Sequence, residues 1–261
     1  MEKIALITGG SSGLGYSFAK ILGKTGYSII LLARNEQKLQ TKADELNKEN
    51  IKTYFYTCDV SDATSLENTA KKIKDKFKKI DFLIVSAGIV SVKLLNEYPD
   101  AATLLQDIKI DLEGTILTTY YFQDFLEKGS KVLFISSGFG LMGAAGYSMY
   151  CAAKAGVINF AEAWRREVLK KGIQVYVAAP GDIDTPQYRG ELEAQPQWMK
   201  KNTPRQVDSP EKVAKKILKQ TKGKRKFLIL PAPDVKFLNF ASKILPRKWR
   251  DALLDSIFPQ P

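Results

Sequence analysis

Short apolar runs recur along the chain at 4–7, 29–32, 53–56, 82–85, 132–135, 175–179 and 227–230, separated by longer segments of mixed apolar and polar residues. Near-continuous apolar strands alternating with helix-length amphipathic segments belong to a parallel sheet covered on both faces. The pattern predicts an α/β fold: a doubly wound parallel sheet (Rossmann type) of about seven strands in one catalytic-sized domain over 1–234. One region breaks the rhythm. Residues 181–210 lack periodicity and are rich in Pro, Gln and charge, which predicts a lid over 182–210 ahead of a helix at 211–220. Residues 235–261 form an amphipathic basic tail, and Pro246 divides it into two short helices.

Composition removes several function classes. The chain has no histidine and only two cysteines, Cys58 and Cys151, in no metal-type pair and no disulfide framework. No metal site is expected, and a reducing, cytoplasmic compartment is the simplest reading. The N-terminus runs directly into a strand without a signal-peptide core, and no run reaches the ~18 apolar residues that span a bilayer. The formal charge of +12 favours an anionic partner: nucleic acid, a membrane surface or a phosphorylated ligand. Lys71, Lys72, Lys74, Lys76, Lys78 and Lys79 account for part of it as the solvated face of one helical segment, with Ile73 and Phe77 on its buried stripe. Nothing has the arrangement of a nucleic-acid reader, so nucleic acid is not an expected partner.

The first strand ends in Thr8-Gly9-Gly10-Ser11-Ser12-Gly13-Leu14-Gly15. Glycines permit a tight turn and close backbone approach. A helix starting near Ser12–Gly13 aims its free N–H groups at a pyrophosphate. Strand, glycine turn and helix together are the context of a dinucleotide site. At the end of the second strand, where an acidic residue would take ribose hydroxyls, the chain has Arg34. A guanidinium pairs with a 2′-phosphate, so the expected cofactor is NADP(H). An Arg that merely stacks on adenine or faces solvent is the alternative. After the third strand, Asp59 is placed to accept from an adenine amino group, with Val60 against the ring. A helix-capping role for a neighbouring Asp or Ser competes with that reading.

Six motifs occur in order: TGGSSGLG (8–15), CDV (58–60), SAG (86–88), ISSGFG (135–140), YCAAK (150–154) and PGDIDTP (180–186). In order and spacing they resemble the short-chain dehydrogenase/reductase family over roughly residues 3–230. The resemblance implies an oxidoreductase in which the cofactor supplies hydride and the protein orients it. Tyr150 then donates a proton to the carbonyl oxygen in reduction and accepts it in oxidation. Lys154, one helical turn on, binds the nicotinamide ribose and relays protons. Residues four apart share a helix face, and a nearby ammonium is expected to lower a phenol pKa from its ordinary value of about 10. Ser137, 13 residues before Tyr150, hydrogen-bonds the reacting oxygen; Ser136 is the lesser candidate. Ser86, Ala87 and Gly88 pass under the ribose and ring. In the segment opened by Pro180 and Gly181, the Ile183 backbone and the Thr185 hydroxyl hold the carboxamide.

The chain departs from the family pattern at two places. Val85-Ser86 stands where two asparagines are common, so one polar side chain is lost. Asp111 stands at a fourth catalytic position, an asparagine whose main-chain carbonyl holds a relay water at a helix kink. A carboxylate there raises the Lys154 pKa and retunes the relay, or else marks a non-catalytic NADP(H)-binding regulator. For the substrate, PGDIDTPQYRGE followed by SPEKVAKKIL resembles 3-ketodihydrosphingosine reductases, which implies a lipophilic, sphingolipid-like ketone. A 3-oxoacyl thioester or another small carbonyl is the alternative. The tail, with its five basic residues among aromatic and aliphatic ones over 235–258, can lie on an anionic membrane, cover the pocket or pack between subunits. The family resemblance also implies a homodimer or homotetramer paired through helices around 106–125 and 150–170.

Overall fold

The computed structural model describes residues 2–200, 207–223 and 227–258. Each apolar run forms one strand: β1 Lys3–Thr8, β2 Tyr27–Ala33, β3 Thr53–Thr57, β4 Phe82–Val85, β5 Lys131–Ile135, β6 Gln174–Ala178 and β7 Leu228–Ile229. All pairings are parallel, in the order β3-β2-β1-β4-β5-β6-β7. Along β1, Ile4 and Leu6 join the core on one face, and Ala5 and Ile7 join the core on the other. Side chains alternate across a strand, so a sheet covered on both faces needs apolar residues at every position. The strand order reverses between β1 and β4, and the crevice outside their carboxyl ends is where this architecture accepts ligands.

The helices are α1 Gly13–Lys24, α2 Glu36–Lys48, α3 Ala63–Lys76, α4 Ala101–Leu104, α5 Gly114–Phe122, α6 Ser148–Val168, α7 Pro186–Ala194, α8 Gln197–Lys200, α9 Pro210–Gln220, α10 Pro233–Ile244 and α11 Arg247–Ile257. Three sequence expectations need correction. Lys78 and Lys79 lie beyond α3, because Phe77 turns extended to bury its ring against Tyr54 at 5.1 Å, and Lys79 pairs with Asp81 at 2.9 Å. The helix read over 106–125 is not continuous: its backbone widens into a π-helical turn at Ile108–Glu113 before α5 begins. The segment 182–210 is partly helical rather than irregular. Thr185 caps α7 by accepting from the Tyr188 N–H at 3.1 Å, and Pro186 takes the first helical position, where no N–H is needed. Residues 201–206 of that segment, and 259–261 of the tail, lie outside the described residues.

The tail divides at Pro246 as expected, into α10 and α11. Val235 packs on Gly138, where an added Cβ would lie 3.0 Å from it. Outward, Phe237, Phe240, Ile244 and Trp249 are 61–70% exposed. Among the described residues no helix is long and apolar enough to cross a membrane.

Candidate active site

A cleft of about 380 Å³ opens at the carboxyl ends of β1 and β4. Its floor is the turn from Gly9 to Gly15. Gly9 has φ +68°, in the left-handed region, and a Cβ on Gly15 would sit 2.4 Å from the Gly9 carbonyl oxygen. The turn therefore presents bare backbone. Ser11, Ser12, Gly13 and Leu14 line it. Ser12 stands at the N-cap of α1 without spending its hydroxyl on the cap, so the helix end keeps its capacity for an anion.

The residues expected to hold the rest of a dinucleotide line the same cleft. Arg34 lies exposed at the end of β2, and Lys38 lies in the first turn of α2. Among the described residues neither is in an ion pair, while Asn35 caps α2 by accepting from the Lys38 N–H at 2.8 Å. Asp59 accepts from the Ser61 N–H and hydroxyl through one oxygen, at 2.9 and 2.7 Å. The capping of α3 falls to Asp62, which accepts from the Thr64 N–H at 2.9 Å, and Asp59 is left facing the cleft beside Val60. The Thr8 hydroxyl accepts from the Ser86 and Ala87 N–H groups at 3.0 and 3.1 Å, which ties the loop ending in Gly88 to the glycine turn. Pro180, Gly181, Ile183 and Thr185 form the facing wall. Ile183 is bridged to Asp208, and the Thr185 hydroxyl accepts the α7 cap bond. A bare-backbone cradle, an uncapped helix end and two cations free of ion pairs among the described residues fit a nicotinamide dinucleotide.

At the chemistry end, α6 puts Tyr150 and Lys154 on one face, with the Lys154 Nζ 5.4 Å from the centre of the Tyr150 ring. Ser137 and Tyr150 both line the cleft, and the Ser137 hydroxyl accepts from the Phe139 N–H at 3.2 Å. Ser136 is spent elsewhere: it is buried and donates to the Lys154 carbonyl at 2.8 Å. Asp111 does not reach the cleft. It sits in the π-helical turn, fully buried, with Oδ2 2.8 Å from the Lys154 Nζ and Oδ1 accepting from the Ile89 N–H at 2.8 Å. Any Cβ on Gly88 would press on both partners, at 3.0 and 3.1 Å. The Asp111 main-chain carbonyl already accepts from the Thr115 hydroxyl at 2.6 Å.

Lys154 does lower the Tyr150 pKa, as expected, but it does not bring the phenol below its ordinary value. Burial pushes the phenol up, Lys154 pulls it down, Asp111 pushes it up again, and the result is about 12. The ammonium charge is shared with a carboxylate a hydrogen-bond length away, so it offsets only part of the burial. For Lys154 itself, burial acts downward, but Asp111, Tyr150 and Asp107 together outweigh it and hold the ammonium above the usual lysine range. That upward shift agrees with the sequence expectation for Asp111. A neutral phenol beside a lasting cation is arranged to donate a proton.

Beyond Ser137 lies a second cavity of about 400 Å³. Its walls are Phe139, Met142, Ala144, Ala145 and Tyr147, with Met199 from α8 and Val235, Phe237, Leu238 and Phe258 from the tail. The tail therefore covers the pocket, which was one of its three expected roles. Tyr147 stacks on Phe139 with centroids 4.7 Å apart and donates to the Glu191 Oε1 at 2.7 Å. The motifs of the sequence did not disclose Lys38, Tyr147 or Glu191. Burial, with some repulsion from Asp182, raises the Glu191 pKa to about 7 from 4.5, against the Tyr147 hydrogen bond. A raised folded-state pKa contributes stability below the unfolded value, and that contribution is lost as pH rises through the folded value. Wild type is therefore expected to lose up to about 3 kcal/mol of stability between about pH 4.5 and 7 through this group. Urea unfolding at about pH 5 and 8 checks it: Glu191→Gln should show a smaller loss, and an equal loss in both proteins would exclude Glu191 as the source.

Comparison with known proteins agrees with this geometry. A short chain dehydrogenase profile matches residues 3–196. The chain is 31% identical over 206 residues to the bovine (Bos taurus) 3-oxoacyl-[acyl-carrier-protein] reductase, covering 78% of this chain and 84% of that protein. It is 34% identical over 194 residues to the mouse (Mus musculus) 15-hydroxyprostaglandin dehydrogenase [NAD(+)], covering 70% and 68%. A variant of the actinorhodin polyketide ketoreductase, solved with NADPH, shares the fold with a TM-score of 0.79, at 24% identity over 88% of this chain and 95% of that one. The chain belongs to the short chain dehydrogenase family and is an oxidoreductase with a nicotinamide cofactor. The relatives named are oxoacyl and hydroxyprostaglandin enzymes, not 3-ketodihydrosphingosine reductases, so the narrower resemblance read from 180–218 is not supported.

Proposed function

We propose that this oxidoreductase uses NADPH to reduce a ketone borne on an apolar chain to a secondary alcohol. The observation that carries the reading is that Ser137 lines both the dinucleotide cleft and the apolar cavity, while Tyr150 lines the same cleft and packs against the Tyr147 and Met199 side chains that wall the cavity. When bound, the cofactor supplies hydride to the carbonyl carbon. Ser137 and Tyr150 hydrogen-bond the carbonyl oxygen and stabilise its developing charge. Tyr150 gives its proton to that oxygen, because an alkoxide is a stronger base than a phenolate. Lys154 holds positive charge beside the resulting phenolate, and Asp111 holds Lys154 in place. The names of the relatives favour a 3-oxoacyl thioester or a related carbonyl compound over a sphingoid ketone. NADPH oxidation against chain-length series of 3-oxoacyl thioesters, simple 2-ketones and 3-ketosphinganine tests this. Rates rising with chain length support the apolar-pocket reading; no turnover in any series contradicts it.

Arg34 and Lys38 support NADP(H) over NAD(H), since two cations suit a 2′-phosphate. Glu at position 34 would repel that phosphate, so Arg34→Glu is expected to raise KM for NADPH by about 10–100-fold, with kcat little changed. Steady-state kinetics with both cofactors checks this; an unchanged NADPH/NADH preference would remove Arg34 from the site.

The exposed outer face of the tail supports peripheral contact with an anionic membrane: Phe237, Phe240 and Trp249 stand beside Lys236, Lys243 and Lys248. The whole chain should float with anionic liposomes, and a form lacking 235–261 should not; equal flotation rules the tail out. Exposed Ile116 and Tyr120 on α5 and Leu169 after α6 support pairing of two chains there, which sedimentation at twice the 29.2 kDa chain mass would register.

A further inference from the structure

Asp107 is buried, 1% exposed, and among the described residues it is in no ion pair. A buried carboxylate needs a cation or good hydrogen bonds. Asp107 gives both oxygens to one residue: Oδ1 accepts from the Ser91 hydroxyl at 2.7 Å and Oδ2 from the Ser91 N–H at 3.1 Å. It stands in helical conformation at the start of the π-helical turn, with φ −63° and ψ −40°. Four residues on, the Asp111 Oδ1 accepts from the Ile89 N–H at 2.8 Å. Two carboxylates of one turn therefore hold the same stretch of chain after β4.

That stretch has nothing else of the kind to hold it. Residues 86–94 belong to no helix or strand, yet from Ala87 onward their N–H bonds alternate. The Ala87 N–H goes to the Thr8 hydroxyl, Ile89 to Asp111, Ser91 to Asp107, and Lys93 to the Gly146 carbonyl at 2.9 Å. Among the described residues the N–H groups of Gly88, Val90 and Val92 have no partner. Such alternation is what a strand shows to a neighbour, but here side chains supply most of the acceptors. Alternate residues of an extended segment lie roughly 6.5–7 Å apart. Side chains four apart on a helical turn share a face, with Cβ atoms about 5–6 Å apart. The two spacings are close enough for Asp107 and Asp111 to meet Ser91 and Ile89 together. The segment also joins the two halves of the site. Gly88 and Ile89 line the cofactor cleft, whereas Val90 and Val92 pack with Tyr147 and Met199, which wall the apolar cavity.

We infer that Asp107 is a positioning residue: with Asp111 it clamps residues 87–93 in one register, and so sets the cofactor floor at Gly88 and Ile89 and the cavity wall at Val90 and Val92. A slip of one residue in an extended segment turns every side chain to the other face, and two ties prevent what a single tie at Ile89 allows. The effect on turnover rests on the ketone-reductase reading; the clamp itself does not.

Two measurements on the whole protein test it. Amide hydrogen exchange, followed by NMR on wild type without cofactor, reads the clamp directly. Protection at Ile89 and Ser91 should be at least about 100-fold greater than at Gly88 and Val90. The second measurement is kcat for 2-decanone per NADPH-binding site, with sites counted by fluorescence titration so that loss of folded protein does not register. Asp107→Ala should lower it by about 10–100-fold, the scale of loss for misplaced reacting groups. The NADPH Kd should move by no more than about threefold, because the glycine turn still holds the pyrophosphate. Asp107→Asn keeps the tie, its carbonyl accepting from the Ser91 N–H and its amide donating to the Ser91 hydroxyl. It should keep kcat within about threefold of wild type and keep Ser91 protected. An unchanged kcat per site in Asp107→Ala would make Asp107 a support of the fold alone and overturn the positioning role. Asp107→Asn no better than Asp107→Ala would mean that charge, not the tie, matters, and would overturn it too. If Asp107→Ala does not fold, exchange in wild type and Asp107→Asn still decides. Unprotected Ile89 and Ser91 amides in a protein that turns over 2-decanone overturn the clamp and leave the reductase reading standing. Protected amides with no turnover of any ketone overturn the reductase reading and leave the clamp standing.

Discussion

Tyr150→Phe should lower kcat for ketone reduction by about 10²–10⁴-fold, the usual worth of a positioned general acid. The change removes one hydroxyl and keeps the ring that packs edge-on near Phe139, with centroids 6.4 Å apart. The glycine turn, Arg34 and Lys38 are untouched, so NADPH affinity should move by no more than about threefold, much less than a lost charged contact costs. Transient kinetics separates the two quantities. A fall in NADPH binding as large as the fall in kcat would mean that the substitution damages the cleft, and retained turnover would remove Tyr150 from the chemistry.

Lys154→Met should have the second large effect, and on stability as well as rate. The side chain of Lys154 is 7% exposed and that of Asp111 is 0% exposed, 2.8 Å apart. Removing one partner of a buried pair leaves the other charge stranded, at a cost of about 3–5 kcal/mol. Asp111→Asn in the same chain removes the stranded charge and should restore much of that stability. It should not restore activity, because no cation remains to stabilise the phenolate. Urea unfolding and steady-state rates of the single and double variants check the separation. A double variant no more stable than Lys154→Met would mean that Asp111 is not held by charge pairing.

The sheet was legible because its strands are buried on both faces, so each reads as an unbroken apolar run. The dinucleotide cleft was legible because its elements are local: a glycine turn after a strand, a cation at a strand end, a tyrosine and a lysine one helical turn apart. What spacing cannot carry is burial. Tyr150 and Lys154 do share a face, but the sign of the phenol shift depends on desolvation and on Asp111, which lies far before Lys154 in the chain and meets it only in the fold. The apolar cavity beyond Ser137 was hidden for the same reason. Tyr147 and Glu191 are 44 positions apart and belong to no motif. Lys38 was lost among 40 lysines and arginines. In the segment 182–210, the Thr185-Pro186 helix start was present in the chain but was outweighed by the absence of apolar periodicity.

The most direct test of the proton-donor role is the ionisation of Tyr150 itself. Carbon-13 NMR of protein labelled at the tyrosine ring carbon bearing the hydroxyl, assigned by difference from Tyr150→Phe, follows that group alone. The Tyr150 signal should stay that of a neutral phenol through about pH 10, the ordinary tyrosine value, and begin to move only toward about 12. A signal already that of a phenolate at about pH 8, well below that ordinary value, would contradict the assignment of Tyr150 as the neutral proton donor.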